Sequence, residues 1–222
     1  MQLRDVLPDW HIEWVEETGS TNHDLASAAR DGASAPRALI ADHQHAGRGR
    51  FDRCWQAPPG TSLAISVLVA PQVPIAQWSW GSMLAALAVR EACTKAGAAD
   101  VTLKWPNDVL APDGKLCGIL AERVQSQDSD LLVIGMGINT SMSAGQLPVP
   151  TATSLQLVGA DPDPMPLVKN LLTEFNLLLE RWNAGESLIG EYRAVCSSIG
   201  RRVRVLRSVG QPVEGMRAWE PM

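Results

Sequence analysis

The sequence lacks a long hydrophobic run, a paired cysteine motif and an excess of positive charge. Its longest mainly apolar run, residues 63–70, is far shorter than the roughly 20 residues of a membrane-spanning helix, so no membrane association is expected. None of its four cysteines forms a C-x-x-C pair, which argues against structural zinc and is typical of a reducing compartment. The net charge of −5 argues against non-specific binding to nucleic acid. The opening MQLRDVLPDW has no basic segment followed by an apolar one, so a cytoplasmic protein is predicted.

The common signatures of repeats and of nucleotide binding are also missing. No segment recurs with a period of about 20 to 50 residues, which excludes a solenoid. The pattern G-x-x-x-x-G-K-[ST] does not occur, which excludes a conventional P-loop ATPase. The GMGIN segment at residues 135–139 is not a Rossmann fingerprint, because Thr140 stands where the third glycine is required.

What is present predicts one substantial α+β domain. The chain has 222 residues, of which 45% are hydrophobic and 19% charged, against roughly 100–150 residues in a common domain. Ser20 and Thr21 occupy a typical helix N-cap, and Gly32 is a typical stop. Apolar periodicity predicts two more helices, over residues 75–96 and 164–182, and strands over residues 37–43, 62–70, 101–105 and 131–138. A Pro-Asp-Gly turn at residues 112–114 predicts a β-hairpin between two apolar runs.

The character of the sequence changes near its C-terminal end. Residues 201–207 alternate valine with arginine, which is typical of a strand, and Gly210 can turn the chain back on itself. We therefore place a domain boundary near Ser198, which divides the chain into residues 1–198 and residues 199–222. At about 5 to 6 residues per strand, the second segment is too short for a closed barrel.

The segment AGRGRFDR at residues 46–53 is the first candidate for a functional site. Its glycines, including Gly49, allow backbone N–H groups to approach an anion closely, and Arg48 and Arg50 supply charge and bidentate donors. A phosphate is the ligand that this chemistry favours. The alternative is a solvated loop with no ligand.

The KWPND segment at residues 104–108 is the second candidate. It places Lys104, Asn107 and Asp108 at the end of an apolar strand, where α/β folds commonly open a ligand crevice. The alternative is a strand that ends at proline and enters a polar turn. Lys115 follows the hairpin turn and would ordinarily be a solvated turn lysine.

Six segments together resemble the biotin protein ligases. They appear in the family's order with compatible spacing between about residues 10 and 200, and the chain is identified as a member on that ground. The matching segments are ETGSTN at 17–22, QHAGRGR at 44–50, Trp55, KWPND at 104–108, GKLCGIL at 114–120 and GMGIN at 135–139.

The resemblance implies a fold and a reaction. The fold is a class II synthetase-like mixed β-sheet with flanking helices, followed by a small SH3-like β domain that is incomplete in this chain. The substrates are ATP and biotin, with Mg²⁺. Biotin and ATP give biotinyl-5′-AMP, and biotin then passes to one lysine of a biotin carboxyl carrier protein domain of a carboxylase.

The resemblance also implies roles for the matching residues. Ser20, Thr21 and Asn22 look like the biotin-binding triplet, a role that can coexist with the helix N-cap. The residues that match the family's biotin and adenylate loop are Gln44, Arg48, Gly49 and Arg50.

Lys115 matches the lysine beside the biotin carboxylate and the α-phosphate, and Gly118 allows the backbone to approach closely. Trp55 is similar to the tryptophan near the adenine, Asn139 to a nucleotide contact, and Asp108 lies where the second-step amine arrives. Lys104 and Asn107 complete the predicted binding residues.

The implied chemistry explains why cations are present and a catalytic triad is not. The nucleophile is a carboxylate that is already ionised at neutral pH, so no general base is needed. Lys115, Arg48, Arg50 and Mg²⁺ would offset the repulsion between this anion and the triphosphate. In the second step the acceptor amine must lose a proton, which Asp108 is placed to accept.

Two features depart from the pattern or compete with it. Phe51 and Asp52 stand where the family's loop often has a second Arg-Gly pair, which removes one cation. His43 and His45 flank Gln44 without a carboxylate or cysteine partner, and such a pair is a poor metal site, so no structural metal is predicted.

Three other functions fit the sequence less well. A biotin-dependent DNA-binding regulator is disfavoured, because fewer than 20 residues precede the first motif and no helix-turn-helix fits there. RNA binding is disfavoured because interleaved aromatic residues are missing. Lipoate ligases share the fold but lack the GRGR pattern, and lipoate is the second choice of substrate.

Overall fold

The computed structural model describes residues 3, 6–51, 53–126, 129–205 and 213–216. Its centre is a seven-stranded sheet with the strand order β1-β2-β5-β9-β8-β7-β6. The strands of the chain are β1 His11–Thr18, β2 Arg37–Gln44, β3 Gly47–Arg48, β4 Cys54–Trp55, β5 Ser62–Val69, β6 Thr102–Lys104, β7 Asp108–Ala111, β8 Gly114–Gln125, β9 Asp130–Asn139, β10 Arg202–Val205 and β11 Val213–Met216.

The sheet is mixed, as predicted. Strands β1 and β2 run parallel, while each of the other neighbouring pairs in this sheet is antiparallel. Strand β8 returns from β7 through the Pro-Asp-Gly turn, which confirms the predicted hairpin. In the β8–β9 pair, Gly118 lies opposite Gly137 and Leu120 opposite Gly135.

Four α-helices cover the sheet: α1 Thr21–Arg30, α2 Gly81–Lys95, α3 Pro164–Asn183 and α4 Ile189–Val195. The leucine spacing of α3 buries one face against α2 in the main core. Helix α1 contacts the sheet chiefly through β5 and β9 and joins a separate apolar cluster with Leu39, Leu68 and Val133. Because alternate residues of a strand face opposite sides, Leu68 belongs to this cluster while Val67 belongs to the main core.

Two sequence predictions needed correction. The predicted helix over residues 75–96 begins as a 3-10 helix, Ile75–Trp80, and becomes an α-helix only from Gly81. The segment at residues 46–53 was predicted as an irregular loop, but its first half pairs as β3 with β4 to form a short hairpin. The sequence analysis did not predict β1 or α4.

The C-terminal segment contains a strand that turns back, as predicted, because β10 pairs antiparallel with β11. The boundary near Ser198 and the SH3-like domain over residues 199–222 stay predictions, since residues 206–212 and 217–222 lie outside the described residues. Ser198 itself is tied to the main sheet, because its hydroxyl accepts a hydrogen bond from the Trp105 N–H at 3.1 Å. Among the described helices, none has both the length and the apolar character to cross a membrane.

Candidate active site

A cavity of about 460 Å³ opens at the N-terminal end of α1, against β8 and β9. This volume lies within the roughly 300–1,000 Å³ of small-molecule sites. Thirteen of the fourteen residues predicted from the sequence line it: Ser20, Thr21, Asn22, Gln44, Arg48, Gly49, Arg50, Trp55, Lys104, Asn107, Asp108, Lys115 and Gly118.

Asn139 is the predicted site residue that does not line the cavity. Its side chain is buried and donates a hydrogen bond to the Thr153 carbonyl at 2.8 Å. A longer contact of 3.5 Å joins the same nitrogen to the Lys115 carbonyl. In this structure Asn139 therefore braces the segment that carries Lys115, and its predicted contact with the nucleotide stays a prediction.

The floor of the cavity is formed by glycines on β8 and β9. A Cβ atom at Gly135 would lie 2.1 Å from Asn22 Oδ1, and one at Gly137 would lie 2.6 Å from the Trp55 ring. A Cβ at Gly118 would lie 3.0 Å from the same ring. Gly135 and Gly137 were absent from the predicted site, although a glycine in a strand interior is a known sign of close approach. The GMGIN segment thus makes room for the side chains of Asn22 and Trp55, which line the cavity.

The triplet at the start of α1 is buried at one end of the cavity. Ser20 occupies the N-cap position and lines the cavity, and its side chain makes no capping hydrogen bond. The Thr21 N–H and hydroxyl both lie within hydrogen-bond distance of Gln44 Oε1, at 2.8 and 3.0 Å. The bond from the Thr21 N–H fastens Gln44, which ends β2, to the first turn of α1.

Two residues that the sequence analysis missed hold Asn22. The Ser66 hydroxyl donates to Asn22 Oδ1 at 2.7 Å, and Asn22 Nδ2 donates to Glu122 Oε2 at 2.9 Å. The same carboxylate accepts a bond from Arg48 Nη2 to Oε1 at 2.9 Å. Glu122 therefore connects the triplet with the arginine of the β3–β4 hairpin. No local sequence pattern marks it, since 100 residues separate it from Asn22.

Side chains of both charge signs line the cavity near Trp55. Lys115 Nζ lies 2.6 Å from Asp108 Oδ1 and 5.8 Å from the centre of the Trp55 ring. Arg50 makes a weak contact of 3.4 Å with Asn107 Oδ1. Asn107 in turn donates to the Ile119 carbonyl at 2.9 Å, which fixes its side chain between β7 and β8. The KWPND and GKLCGIL segments therefore converge on one place.

Arg50 and Phe51 lie in the loop between β3 and β4, and both line the cavity. The Phe51 ring lies 5.0 Å from the Arg50 guanidinium, within cation–π range. The Phe51 backbone has a φ of +57°, a conformation that is uncommon for a bulky residue. Asp52, the second departure from the family pattern, lies outside the described residues.

The indole nitrogen of Trp55 is buried and finds no hydrogen-bond partner within the described part of the chain. An unpartnered buried N–H group costs about 1–3 kcal/mol. The ring rests on Gly118 and Gly137, both of which line the cavity.

The site's chemistry is that of a binding cradle for anions. Burial raises the pKa of Cys117 well above its usual range, so this thiol stays protonated. The described residues contain no group of three or more histidine, cysteine or acidic side chains placed to hold a metal ion. Several cations line the cavity, among them Arg48, Arg50 and Lys115, and together they can neutralise a polyanion.

Comparison with known proteins identifies relatives of the chain. The family model for the biotin/lipoate A/B protein ligase family matches residues 16–139. A biotin--[acetyl-CoA-carboxylase] ligase of Mycobacterium tuberculosis is 42% identical over 226 residues, which cover 96% of this chain and 83% of that protein. A bifunctional ligase/repressor of Bacillus subtilis is 32% identical, and the match covers 78% of this chain but only 55% of that protein.

The fold has solved relatives as well. A biotin protein ligase from Aquifex aeolicus, determined in complex with biotin and ATP, superimposes with a TM-score of 0.78 at 27% identity. The match covers 93% of this chain and 86% of that chain. A biotin protein ligase from Leishmania major in complex with biotinyl-5-AMP has the same fold, with a TM-score of 0.69 over 90% of this chain.

Proposed function

We propose, since the chain belongs to the biotin/lipoate A/B protein ligase family, that it activates biotin with ATP and transfers the biotin to a lysine of a biotin carboxyl carrier protein domain. The observation that supports this most is the cavity, in which residues from all six of the matching sequence segments line one space. The relative from Mycobacterium tuberculosis, named as a biotin--[acetyl-CoA-carboxylase] ligase, supports the same assignment.

In the first half-reaction the biotin carboxylate attacks the α-phosphorus of ATP, the bond to the β-phosphate oxygen breaks, and pyrophosphate leaves. The obstacle is the repulsion between two anions, and fixed cations at the place where charge develops are an effective remedy. We assign this role to Lys115, Arg48 and Arg50. Lys115 has three donors, so it can hold Asp108 and a phosphate oxygen together.

The triplet and the glycine floor are assigned to biotin. Ser20, Thr21 and Asn22 offer short hydroxyl and amide groups, which suit a ureido ring with both donors and acceptors. Gly135 and Gly118 line the same cavity, and their lack of side chains leaves room for Asn22 and Trp55 to pack against β9 and β8. Trp55 is assigned to the adenine side, because its ring borders both the cradle and Lys115.

In the second half-reaction the acceptor lysine attacks the carbonyl carbon of the mixed anhydride, and AMP leaves with the bonding pair. The amine has an ordinary pKa near 10.4, so it must lose a proton before or during attack. Asp108 lines the cavity and is one-fifth exposed, which allows it to orient the amine and accept that proton. Lys104, on the neighbouring strand, adds a second polar group to the lining.

Magnesium enters this proposal as part of the substrate, Mg·ATP. Mg²⁺ prefers oxygen ligands and keeps several waters, with one or two carboxylates at most from the protein. Asp108 is the carboxylate that lines the cavity among the described residues. This donor set fits an ion that is held mainly by the triphosphate.

We also place the reaction in the cytoplasm. The four cysteines form no disulfide, and three of them are buried, which suits a reducing compartment.

The test is mass spectrometry of a purified carrier domain after incubation with this protein, ATP, Mg²⁺ and either biotin or lipoate. We expect one biotinyl group on one lysine and no lipoyl group. Lipoylation without biotinylation would assign the protein to the other substrate of its family. A lack of either product, with no pyrophosphate release, would contradict the proposal.

A further inference from the structure

We infer that Glu122 is a positioning residue that sets the donor and acceptor pattern of the biotin-binding triplet and couples it to Arg48. The inference rests on the proposed function, because it concerns how the same cavity selects biotin and holds the adenylate. Glu122 was not predicted from the sequence and does not itself line the cavity. It acts through the two residues that its carboxylate holds.

The hydrogen bonds that connect Thr21 with Glu122 form a chain in which each group donates to the next one. The Ser66 hydroxyl has a single hydrogen and donates it to Asn22 Oδ1 at 2.7 Å, so Ser66 is the acceptor in its 2.7 Å contact with Thr21. Asn22 Nδ2 then donates to Glu122 Oε2. The chain of donors therefore runs from Thr21 to Glu122.

Glu122 ends this chain because a carboxylate only accepts hydrogen bonds. Its second oxygen accepts from Arg48 Nη2, so donors reach it from two sides. The Leu120 carbonyl supports the same arrangement, because it accepts from Asn22 Nδ2 at 3.1 Å. These acceptors fix the orientation of the Asn22 amide, and with it the polar groups that the triplet presents to a ligand.

An amide at position 122 cannot replace the carboxylate. The side chain of glutamine has one acceptor oxygen and one NH₂ donor, so one of its two partners, Asn22 or Arg48, would face a donor instead of an acceptor. Either the triplet loses its fixed orientation or Arg48 loses its anchor. The substitution Glu122→Gln keeps the size of the side chain, so it isolates this effect.

Burial indicates that the contacts matter for binding more than for folding. The Arg48 and Glu122 side chains are 51% and 27% exposed, and an exposed ion pair contributes little stability. Asn22, in contrast, is buried and touches the cavity floor, where a Cβ at Gly135 would overlap it. A change in the orientation of Asn22 therefore changes the polar groups that line the ligand site.

The experiment compares the full-length wild type with Glu122→Gln. Isothermal titration calorimetry measures biotin binding without ATP, and pyrophosphate release at saturating biotin measures adenylation. We expect the Kd for biotin to rise roughly tenfold or more, the effect of a lost hydrogen bond to a charged group. The kcat should change less than about threefold, since Lys115 and Arg50 still face the reacting phosphate.

Asp130→Asn is the matched control. Asp130 forms an ion pair with Arg123 on the same β8–β9 pair of strands, and neither residue lines the cavity. We expect its biotin Kd to equal that of the wild type. A biotin Kd in Glu122→Gln within threefold of the wild type would overturn the inference, as would an equal loss in Asp130→Asn.

A second variant covers the case in which Glu122→Gln does not fold. Ser66→Ala removes the other bond that orients Asn22 and should also raise the biotin Kd about tenfold, whereas an unchanged Kd would contradict the inference. If the wild type itself binds no biotin, the proposed function fails. If the wild type binds biotin and Glu122→Gln binds it equally well, only the inference about Glu122 fails.

Discussion

The ammonium group of Lys115 lies 2.6 Å from the Asp108 carboxylate, and the two residues belong to the neighbouring strands β8 and β7. The pair places a cation and a carboxylate at the same point of the cavity. Because Lys115 is one-third exposed, solvent and ligand can still reach it. The same contact thus serves both proposed half-reactions, with Lys115 facing the phosphate and Asp108 facing the incoming amine.

Replacing Lys115 with alanine should slow adenylation by about 10², the effect of losing roughly 3 kcal/mol of transition-state stabilisation. Folding should survive, because the backbone of Lys115 keeps its bonds to Thr151 and Thr153. Biotin-dependent pyrophosphate release is the measurement. Lys95→Ala, which removes a surface lysine paired with Glu91 on α2, is the control and should retain the wild-type rate.

Two results would refute the assignment of Lys115. The first is a rate within threefold of the wild type. The second is a large fall in the melting temperature, which would mean that the lysine stabilises the fold.

Arg50→Ala should release biotinyl-5′-AMP faster than the wild type. Among the described residues, the Arg50 side chain has a long contact with Asn107 and a cation–π contact with Phe51, so it is available to bind the adenylate phosphate. A lost charge-assisted hydrogen bond of about 1.5–3 kcal/mol corresponds to a dissociation rate roughly 10- to 150-fold higher. The escaped anhydride should biotinylate lysines of an added bystander protein, which a streptavidin blot detects.

The control for Arg50 is Arg37→Ala, because Arg37 donates to the Ser34 carbonyl away from the cavity. It should label no bystander. If Arg50→Ala forms no adenylate and labels nothing, Arg50 acts chiefly in adenylation, and the additional role in retaining the adenylate that is predicted here is wrong.

Gly135→Ala should weaken biotin binding by displacing Asn22. The new methyl group would lie 2.1 Å from Asn22 Oδ1, so the side chain must move and its bonds to Ser66 and Glu122 must break or rearrange. We expect the Kd for biotin to rise at least tenfold, since about 1.4 kcal/mol suffices for that factor. Gly190→Ala is the matched control, because no atom lies within 4 Å of the added methyl group. Equal affinities in the two variants would contradict the proposed floor.

Cys54 should be the first cysteine to react with iodoacetamide. It is exposed and lines the cavity, while Cys93 and Cys117 are buried, and burial raises the pKa of both buried thiols. The thiolate is the reactive form, so both buried cysteines should react slowly. Peptide mass spectrometry over time measures the rates, and biotin with ATP should protect Cys54. Modification of Cys93 as fast as that of Cys54 would contradict the described burial.

The free energy of unfolding should decrease at alkaline pH, because the thiols of Cys93 and Cys117 ionise more readily in the unfolded chain than in the folded one. Burial raises the pKa of Cys93 to about 12, whereas an unfolded cysteine titrates near 8.5. Between these values the unfolded chain binds fewer protons than the folded chain, so the free energy of unfolding decreases as the pH rises. The slope is up to about 1.4 kcal/mol per pH unit for each such thiol.

Urea denaturation at several alkaline pH values checks this slope. Cys93→Ala removes one of the titrating groups, so its free energy of unfolding should decline less steeply than that of the wild type. Equal slopes in the two proteins would show that Cys93 ionises without unfolding.

The sequence alone determined the elements whose signals are local. The leucines of α3 recur at helical spacing, and the Pro-Asp-Gly turn fixes the β7–β8 hairpin, because both depend on residues close together in the chain. Motif order also indicated the correct family. Thirteen of the predicted site residues line the cavity, since each motif carries its own functional side chain.

Only the tertiary structure decided how these motifs combine. Pairing of β8 with β9 places Gly118 opposite Gly137, and the packing of α1 on that sheet brings Asn22 against Gly135. No short pattern contains such contacts. In the GMGIN segment only Asn139 was predicted as a site residue, although alternate glycines in a strand are a sign of close approach to the backbone.

Glu122 is the clearest example of a residue that local sequence patterns do not predict. Its bonds reach Arg48 and Asn22, which lie 74 and 100 residues away in the sequence. A local pattern cannot specify such a contact, because it forms only after the sheet has brought three separate segments together. The sequence thus determined which chemical groups the protein has, whereas long-range packing decided which of them touch.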